Sequence, residues 1–337
     1  MYNSIFINGN ILKKSTNQDI IATINDVNHL LNKKNSWVKT EFSNVNTIEI
    51  SNSYKYSLIN NGIIVVDVLS SNPETNVLSL NGISNGCISN SDKYQVLLSS
   101  INDYTQLIKI LVSSNYGKTF VTSYYDFSGK QFNDVSISNT GKYILVSKNN
   151  ELLYSSNYGK SNDWKSIDFV NSAEYVVFPC RFINSKLSSS GQYSIVITNS
   201  KSVYFSTDFC NNWIMSLAIN INENVNHVFI SQTGETIAIS CDSCIFISND
   251  YGANWRLVNV PNKKWLKVIS VTSTVLLAIS INDLWISDET TSNWTNFIDI
   301  TNVSSDLFDS KIQNGFYSNK TLILQISNTL YSLKESI

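Results

Sequence analysis

S-N-D-Y-G-A-N-W, residues 248–255, is the most informative stretch of the chain, because variants of it recur along the sequence. The copies begin at Ser113, Ser155, Ser206, Ser248 and Ser287, with starts 42, 51, 42 and 39 residues apart. In each copy a Ser is followed two places on by Asp, Asn or Glu, and an aromatic ring closes the unit. A period of this size is typical of propellers, in which each repeat is one small sheet.

The residue types of this unit, called the repeat turn below, suit a tight chain reversal. A short Asp or Asn side chain accepts hydrogen bonds from nearby backbone N–H groups, and Gly supplies a positive φ. The final aromatic then begins the next strand. The predicted repeat-turn residues are Ser113, Asn115, Gly117, Phe120, Ser155, Asn157, Gly159, Trp164, Ser206, Asp208, Trp213, Ser248, Asp250, Gly252, Trp255, Ser287, Glu289 and Trp294. Cys210 and Thr291 stand where Gly is expected, which argues for a structural turn and against metal binding.

A second recurring phrase, such as I-S-N-T-G-K-Y-I-L-V at 137–146, joins two β-prone runs through a polar turn and predicts a hairpin. Eight such hairpins begin near Ile20, Tyr54, Tyr94, Tyr143, Tyr193, Thr236, Thr274 and Thr321. Trp37, after the first hairpin, stands where the aromatic of a repeat turn is expected. We therefore expect an all-β fold, one β-propeller domain over residues 1–337 with eight four-stranded blades. Seven blades remain the alternative, because the first unit's inner strand is weakly marked around residues 11–15. Residues 1–10, with S-I-F-I from Ser4, are predicted to close the ring as the last blade's missing strand.

The repeat turn resembles the Asp-box, or BNR repeat, of sialidases, sortilin-like receptors and photosystem assembly factors. The resemblance implies that each turn joins the third and fourth strands of a blade, and that ligands bind over the opposite face. Sialidases hold their substrate carboxylate with three arginines, whereas this chain has only Arg181 and Arg256, so that activity is not expected. The Asn- and Ile-rich, Arg-poor composition is similar to that of propellers encoded by large DNA viruses of protists.

Charge and composition exclude several classes of function. The net charge is −2 and the 24 basic residues are scattered, which argues against nucleic-acid binding. No apolar run is long enough for a membrane span, and no secretory signal is recognisable at the start. Five cysteines, an odd number, together with the missing signal predict an intracellular protein, with virion association as a further possibility. Cys241 and Cys244 flank a hairpin tip and are predicted to be plain buried thiols, with a cross-strand disulfide or half of a zinc site as the alternatives. Neither a metal nor a cofactor is expected, since the chain has no second C-x-x-C.

Candidate binding residues lie in the longer segments that link one blade to the next. They are Tyr124, Tyr125, Asp126, Glu174, Tyr175, Arg181 and Glu223. Tyrosines beside carboxylates suit a peptide or carbohydrate surface. Trp265 and Trp285 are predicted to be core residues between blades, and His227 a strand histidine whose hydrogen bonds are satisfied.

The sequence thus predicts a non-enzymatic binding or scaffold propeller, with a protein partner favoured over a glycan. One alternative is a glycoside hydrolase with two carboxylates on the loop side, for which no pair stands out. The other is a structural component of a virion or other particle.

Apolar and polar residues alternate at 151–155 and 202–206, which predicts half-buried strands.

Overall fold

The structure is a computed structural model. It describes residues 82–99, 107–167, 181–272, 274–288 and 290–299, and elsewhere only the strands at 4–7, 10–13, 37–41, 47–50, 56–59, 63–66, 74–77, 312–318, 321–326 and 329–334. Every regular element in these residues is a β-strand, as predicted.

Thirty strands form seven four-stranded antiparallel sheets and one two-stranded sheet. The two-stranded sheet pairs β1 (Ser4–Ile7) with β2 (Asn10–Lys13), and β3 (Trp37–Glu41) follows. Sheet 1 comprises β4 (Thr47–Ile50), β5 (Tyr56–Ile59), β6 (Ile63–Val66) and β7 (Glu74–Val77). Sheet 2 comprises β8 (Ile83–Ile88), β9 (Gln95–Ser99), β10 (Ile108–Ser113) and β11 (Val121–Asp126). Sheet 3 comprises β12 (Phe132–Ile137), β13 (Ile144–Lys148), β14 (Glu151–Ser155) and β15 (Lys165–Ile167).

The remaining sheets continue in chain order. Sheet 4 comprises β16 (Phe182–Leu187), β17 (Ser194–Thr198), β18 (Val203–Ser206) and β19 (Ile214–Met215). Sheet 5 comprises β20 (Val225–Ile230), β21 (Ile237–Cys241), β22 (Ile245–Ser248) and β23 (Arg256–Leu257). Sheet 6 comprises β24 (Trp265–Ser270), β25 (Leu276–Ser280), β26 (Asp283–Ser287) and β27 (Trp294–Asp299). Sheet 7 comprises β28 (Ile312–Ser318), β29 (Thr321–Ile326), β30 (Thr329–Lys334) and β3.

The first strands of consecutive sheets contact one another from β4 through to β28. Within each sheet the strands follow chain order outward from that first strand, apart from the substitution of β3 in sheet 7. This succession of packed, four-stranded antiparallel sheets is consistent with a β-propeller.

The N-terminal segments do not pair as the sequence suggested. The strand expected to complete the last sheet, β1, pairs with β2, and the outer strand of sheet 7 is β3, in register with β30 from Trp37 opposite Leu333 to Glu41 opposite Thr329. Trp37 does begin an outer strand, but that strand completes the C-terminal sheet and not a sheet of its own. The described strands thus make seven four-stranded sheets, not eight. The first predicted hairpin, near Ile20, lies outside the described residues.

The core lies between the sheets. Five apolar clusters each draw on two consecutive sheets, from sheets 2 and 3 to sheets 6 and 7. The second strand is buried along its whole length in sheets 2 to 6, for example β17 and β21. The prediction of half-buried strands at 151–155 and 202–206 was wrong, since residues 152–155 and 203–206 are buried throughout. In β14, Leu153 packs in the cluster shared with sheet 2, and Leu152 and Tyr154 pack in the cluster shared with sheet 4, so neighbouring sheets cover both faces of the strand.

Candidate functional site

The strand order gives each sheet two ends with different contents. Because successive strands are antiparallel, the hairpins between first and second strands and the repeat turns lie at one end, called here the repeat-turn face. The hairpins between second and third strands, and the segments that link one sheet to the next, lie at the other end, called the loop face. The repeat turns do join third and fourth strands, from β10–β11 to β26–β27.

The hydrogen bonds of the repeat turns explain their sequence. In the turn at 248–255, Ser248 Oγ accepts the N–H of Gly252 at 2.9 Å and donates to Asp250 Oδ1 at 2.8 Å. Asp250 Oδ1 also accepts the N–H of Asn254 at 2.8 Å. Burial raises the pKa of the Asp250 carboxyl, but the hydrogen bonds from Asn254 and Ser248 outweigh it and hold that pKa below its usual value. The turn at Ser206 repeats the two contacts to the carboxylate: Asp208 Oδ1 accepts from Ser206 Oγ and from the N–H of Asn212, both at 2.9 Å.

Two turns differ from the predicted assignments. In the turn at Ser155, which is two residues longer, the carboxylate that caps the Ser155 hydroxyl belongs to Asp163 and not to position 157. In the last turn Asp288, one place before the predicted Glu289, accepts the N–H of Ser292 at 2.9 Å. Glu289 itself lies outside the described residues. In the first turn the amide oxygen Asn115 Oδ1 accepts from Ser113 Oγ and from the N–H of Thr119, both at 3.0 Å. A side-chain oxygen within reach of the turn's donors is therefore the common feature, and its position in the sequence varies between turns.

Some residues of each repeat turn adopt the left-handed backbone conformation, with positive φ, and the strain of the turn lies at these residues. The residue at the Gly position has positive φ in all five turns, including Cys210 at 62° and Thr291 at 57°. The aromatic before it also has positive φ in the first four turns, as at Tyr251 with 62°. Non-glycine residues pay for this conformation, so the surrounding contacts must hold it.

The closing indoles link neighbouring sheets. Trp255 Nε1 of sheet 5 donates to Ser216 Oγ, just after β19 of sheet 4, at 3.0 Å, and Ser216 Oγ donates to the Gly252 carbonyl at 3.1 Å. Trp164 Nε1 of sheet 3 donates to Ser123 Oγ of β11 at 2.7 Å, and Ser123 Oγ donates to the Gly159 carbonyl. Each serine hydroxyl thus bonds both the indole N–H and the turn carbonyl of the next sheet, and Trp255 Nε1 also donates to the Gly252 carbonyl of its own turn at 2.9 Å.

The remaining indoles bond within their own turns. Trp213 and Trp294 donate to the carbonyl oxygens of Cys210 and Thr291, at 3.2 and 3.0 Å, and both rings are buried. Phe120 has no N–H to donate. All these contacts bond a repeat turn to itself or to a neighbouring sheet, so the role of the repeat turns is structural.

Tyrosines of the first hairpins add a second link between sheets. Tyr193 of sheet 4 stacks on Tyr251 of sheet 5 with ring centroids 4.4 Å apart, and a Cβ added at Gly234 of sheet 5 would lie 2.5 Å from the Tyr193 ring. Tyr143 has the same relation to Phe209 and Gly191 of sheet 4. Only glycine, at a φ near 80°, leaves room for the ring of the preceding sheet.

The predicted binding residues at 124–126 lie at the end of β11, and not in a loop. Lys148 is almost fully buried and its Nζ lies 2.8 Å from both Asp126 Oδ2 and Glu151 Oε2, and 3.1 Å from the Tyr124 hydroxyl. Burial raises the pKa of Asp126, but the hydrogen bond from Lys148 outweighs it and the pKa falls to about 2. Asp126 is therefore an ionised anchor at neutral pH.

Beside this anchor lies an exposed aromatic pair. Tyr125 and Phe127 are 62% and 61% exposed, and their rings meet edge to face with centroids 5.8 Å apart. Tyr124, by contrast, is half-buried and packs against Trp164. Of the three predicted residues, only Tyr125 therefore presents most of its side chain to a partner, and Phe127 was missed.

Arg181 and Glu223 occupy two further points of the loop face. Arg181 is exposed, and its Nε donates to Asn133 Oδ1 of β12 at 2.9 Å. Glu223 Oε2 accepts the N–H of Ser243, at the tip of the β21–β22 hairpin, at 2.7 Å. Within the described residues no contact joins Asp126, Arg181 and Glu223, which belong to three different sheet boundaries. Glu174 and Tyr175 lie outside the described residues.

A polar position that sequence reasoning missed recurs on every first strand. Each of the seven first strands has a β-bulge at its second residue, at the loop-face end. The residue after the bulge is polar or charged in all seven: Glu49, Asn85, Asp134, Asn184, His227, Lys267 and Asn314. In four copies this residue comes three places before the Ile or Leu of the hairpin phrase, a spacing that was available in the sequence.

This polar position links neighbouring first strands. Asp134 accepts from Asn85 Nδ2 at 3.2 Å, from the N–H of Ser185 at 3.0 Å and from Lys186 Nζ at 2.9 Å. Lys267 Nζ donates to Asn314 Oδ1 at 3.3 Å. Bulges re-aim side chains, and here they bring polar groups of successive sheets into contact.

His227 departs from its prediction. Its Nδ1 is buried and has no hydrogen-bond partner among the described residues, so it is not a satisfied strand histidine. Burial first, then the positive charges of Lys267 and Lys186, hold the pKa of His227 well below its usual value. The imidazole is therefore neutral at physiological pH.

The aromatic core positions follow the prediction. Trp265 is fully buried and meets Trp285 edge to face at 6.3 Å, within a cluster shared by sheets 5 and 6. Among the described residues no group of three or more His, Cys, Asp or Glu is placed to hold a metal ion. The described part of the chain also contains no helix that has the length and hydropathy to cross a membrane.

Comparison with known proteins identifies the fold. No protein-family model matches the chain, and no curated protein matches its sequence significantly. YCF48 from Cyanidioschyzon merolae is similar in structure, with a TM-score of 0.64 at 10% identity, covering 89% of this chain and 98% of that one. YCF48 bound to D1 peptide gives a TM-score of 0.62 at 12% identity, covering 90% and 96%.

A family of enzymes shares the architecture. The GH74 xyloglucanase from Xanthomonas campestris gives a TM-score of 0.59 at 13% identity, covering 77% of this chain and 46% of that one. The Niastella koreensis GH74 enzyme gives 0.63 at 12% identity, covering 88% and 44%. The chain therefore corresponds to less than half the length of either enzyme. At these identities the likeness shows a β-propeller fold.

Proposed function

We propose that this protein is a non-enzymatic binding propeller that engages a protein partner through its loop face. The observation that carries the proposal is the exposed pair Tyr125 and Phe127 beside the paired charges of Asp126, Lys148 and Glu151. The ion pairs fix the end of β11, so the two rings are presented without a large loss of side-chain entropy on binding.

Aromatic and arginine side chains carry most of the binding energy at protein interfaces. Tyr125, Phe127 and Arg181 supply that chemistry on two neighbouring sheet boundaries, and Asn133 holds the guanidinium of Arg181 in place. Preorganised anchors of this kind suit an extended protein segment lying across the loop face. A glycan is the second candidate ligand, since stacked rings beside carboxylates also bind sugars.

The comparisons support a protein partner at the level of fold. One structural neighbour, YCF48, is described as bound to a D1 peptide, so this architecture accommodates a peptide ligand. The GH74 neighbours are enzymes, but a glycoside hydrolase needs a carboxyl whose pKa is raised to act as general acid. On the described loop face, Asp126 and Asp242 instead have lowered pKa values, from hydrogen bonds with Lys148 and with Asn224 and Asn226.

We further infer that the ring has seven blades, with β3 and the C-terminal strands together completing the last one. The pairing of β3 with β30 supports this, because such a closure joins the two ends of the chain in one sheet. The Ser and Asp contacts of the repeat turns support their assignment as Asp-boxes. An intracellular location, and the alternative of a virion or particle component, stay predictions from composition; sedimentation with an assembled particle would check the latter.

A display selection tests the proposed function. Extended peptides selected on the wild-type protein are measured against Tyr125→Ala/Phe127→Ala/Arg181→Ala, and we expect affinity to fall at least tenfold, since each anchor is worth about 1–2 kcal/mol or more. Tyr116→Ala, which removes a 44% exposed ring from the repeat-turn face, is the matched control and should bind normally. Equal affinity of all three proteins would refute the loop-face site. Turnover of xyloglucan that is lost in Asp126→Asn would favour the hydrolase instead.

A further inference from the structure

Cys241 and Cys244 face each other across the tip of the β21–β22 hairpin, with only Asp242 and Ser243 between them. The Cys241 N–H donates to the Cys244 carbonyl at 2.9 Å, directly after the register pair of Ser240 and Ile245. Facing residues of a hydrogen-bonded antiparallel pair have Cα atoms about 5.5 Å apart, within the roughly 4.4–6.8 Å that a disulfide spans. The two thiols also share a side-chain hydrogen bond.

The surroundings of the two thiols differ. Cys241 is fully buried, whereas Cys244 is partly exposed, and Cys244 Sγ donates to Glu223 Oε2 at 3.6 Å. Burial first, and then the Glu223 carboxylate, raise the pKa of Cys244 to about 11. The other charged groups near the tip are Asp242 and Lys264, whose closest charged atoms are 3.7 Å apart.

We propose that Cys241 and Cys244 form a reversible dithiol–disulfide site that reacts with small disulfides of the glutathione class. The Cys244 thiolate attacks one sulfur of the oxidised small thiol, which forms a mixed disulfide and releases one reduced thiol. The Cys241 thiolate then attacks the Cys244 sulfur and releases the second reduced thiol. The two protons lost by Cys241 and Cys244 end, through solvent, on the two released sulfurs, so one small disulfide becomes two thiols and no net proton is released.

The geometry sets both the direction and the speed of this reaction. Among the described residues no positively charged group contacts either cysteine sulfur, so neither thiolate is stabilised. The reduced protein is therefore not favoured over the disulfide, which resists reduction once it has formed. The same lack of thiolate makes attack slow at neutral pH. Oxidation also removes the S–H that Cys244 donates to Glu223. It thereby removes one of the hydrogen bonds that join Glu223, just before β20, to the β21–β22 hairpin.

Incubation of the whole protein with oxidised glutathione, followed by alkylation and peptide mapping by mass spectrometry, tests the site. We expect wild type to lose two hydrogens in a Cys241–Cys244 crosslink, while the buried Cys87 stays reduced. Cys241→Ser should stop at glutathionylated Cys244, and Cys244→Ser should stay unmodified. Glu223→Gln should oxidise several-fold faster than wild type at pH 7, because its Cys244 pKa is lower.

Circular dichroism of each variant confirms that it is folded, and the wild-type crosslink requires no variant at all. Two free thiols at Cys241 and Cys244 in wild type, after equilibration with oxidised glutathione, would overturn the proposal. A crosslink of either residue to another cysteine would overturn it as well.

Discussion

Replacing Gly191 by Ala should lower the free energy of unfolding by about 2–5 kcal/mol, the sum of two costs at one atom. Gly191 has a φ of 80°, which costs a residue with a Cβ about 1–2 kcal/mol. The added Cβ would also lie 2.5 Å from the ring of Tyr143 in the preceding sheet, and overpacking of this kind costs roughly 1–3 kcal/mol.

Urea unfolding followed by tryptophan fluorescence measures this loss as a lower midpoint at constant slope. Gly129→Ala, in the segment between β11 and β12 with a φ of 71°, is the control and should lose only the backbone part. Adding Tyr143→Ala to Gly191→Ala gives a double-mutant cycle. The two changes should couple by about 0.5–3 kcal/mol, because the ring is gone while the Cβ of residue 143, 2.7 Å from the added Cβ, stays. If Gly191→Ala costs no more than Gly129→Ala, or if the cycle shows no coupling, the inter-sheet contact does not contribute as argued.

Three further predictions follow from the same contacts. Trp255→Phe should lower the free energy of unfolding, measured in urea, by roughly 1 kcal/mol more than Trp213→Phe, because Trp255, unlike Trp213, bonds a serine of the preceding sheet. Equal losses of free energy in the two variants would contradict this link between sheets. Burial raises the carboxyl pKa of the turn aspartates, but hydrogen bonds within each turn outweigh it, so in the folded protein the pKa is lowered at Asp208, Asp250 and Asp288. A lowered carboxyl pKa stabilises the fold at pH values above the pKa of the unfolded chain. That stability is lost as the pH falls through the pKa of the folded protein. Asp250→Asn should therefore flatten the decline of the urea midpoint between about pH 5 and pH 2, and an unchanged decline would refute this. Val38→Cys with Ser332→Cys, facing residues of β3 and β30, should crosslink on mild oxidation, whereas Ile5→Cys with Ser332→Cys should not; the reverse result would favour closure by β1.

Much of the architecture was predictable because each turn repeats local chemistry. The Ser hydroxyl and the Asp or Asn side chain of a repeat turn bond within a few residues of one another, so their spacing in the sequence indicates the turn directly. The strands at 151–155 and 202–206 were wrongly predicted to be half-buried. Alternation of apolar and polar residues does not show whether a second sheet covers the polar face of a strand. The pairing of β3 with β30 was missed for a related reason. Trp37 stands in the position of a repeat-turn aromatic, which predicts an outer strand but does not indicate the sheet to which that strand belongs.

The candidate site was less predictable than the fold. Tyr125, Arg181 and Glu223 were chosen for their residue types, and the structure places them on three separate boundaries. Phe127 was missed, and the ion pair beside it joins Asp126 to Lys148 of a different sheet, a contact that local sequence does not record. The recurring polar position after each bulge depends on register, which a single sequence records only weakly.

Hydrogen exchange on the complex with a selected peptide decides whether the loop face binds a protein segment. We expect slower exchange at Tyr125 and Phe127, around Arg181 and at the β21–β22 tip, with exchange in the repeat turns unchanged. Protection confined to the repeat turns, such as 248–255, would contradict binding at the loop face.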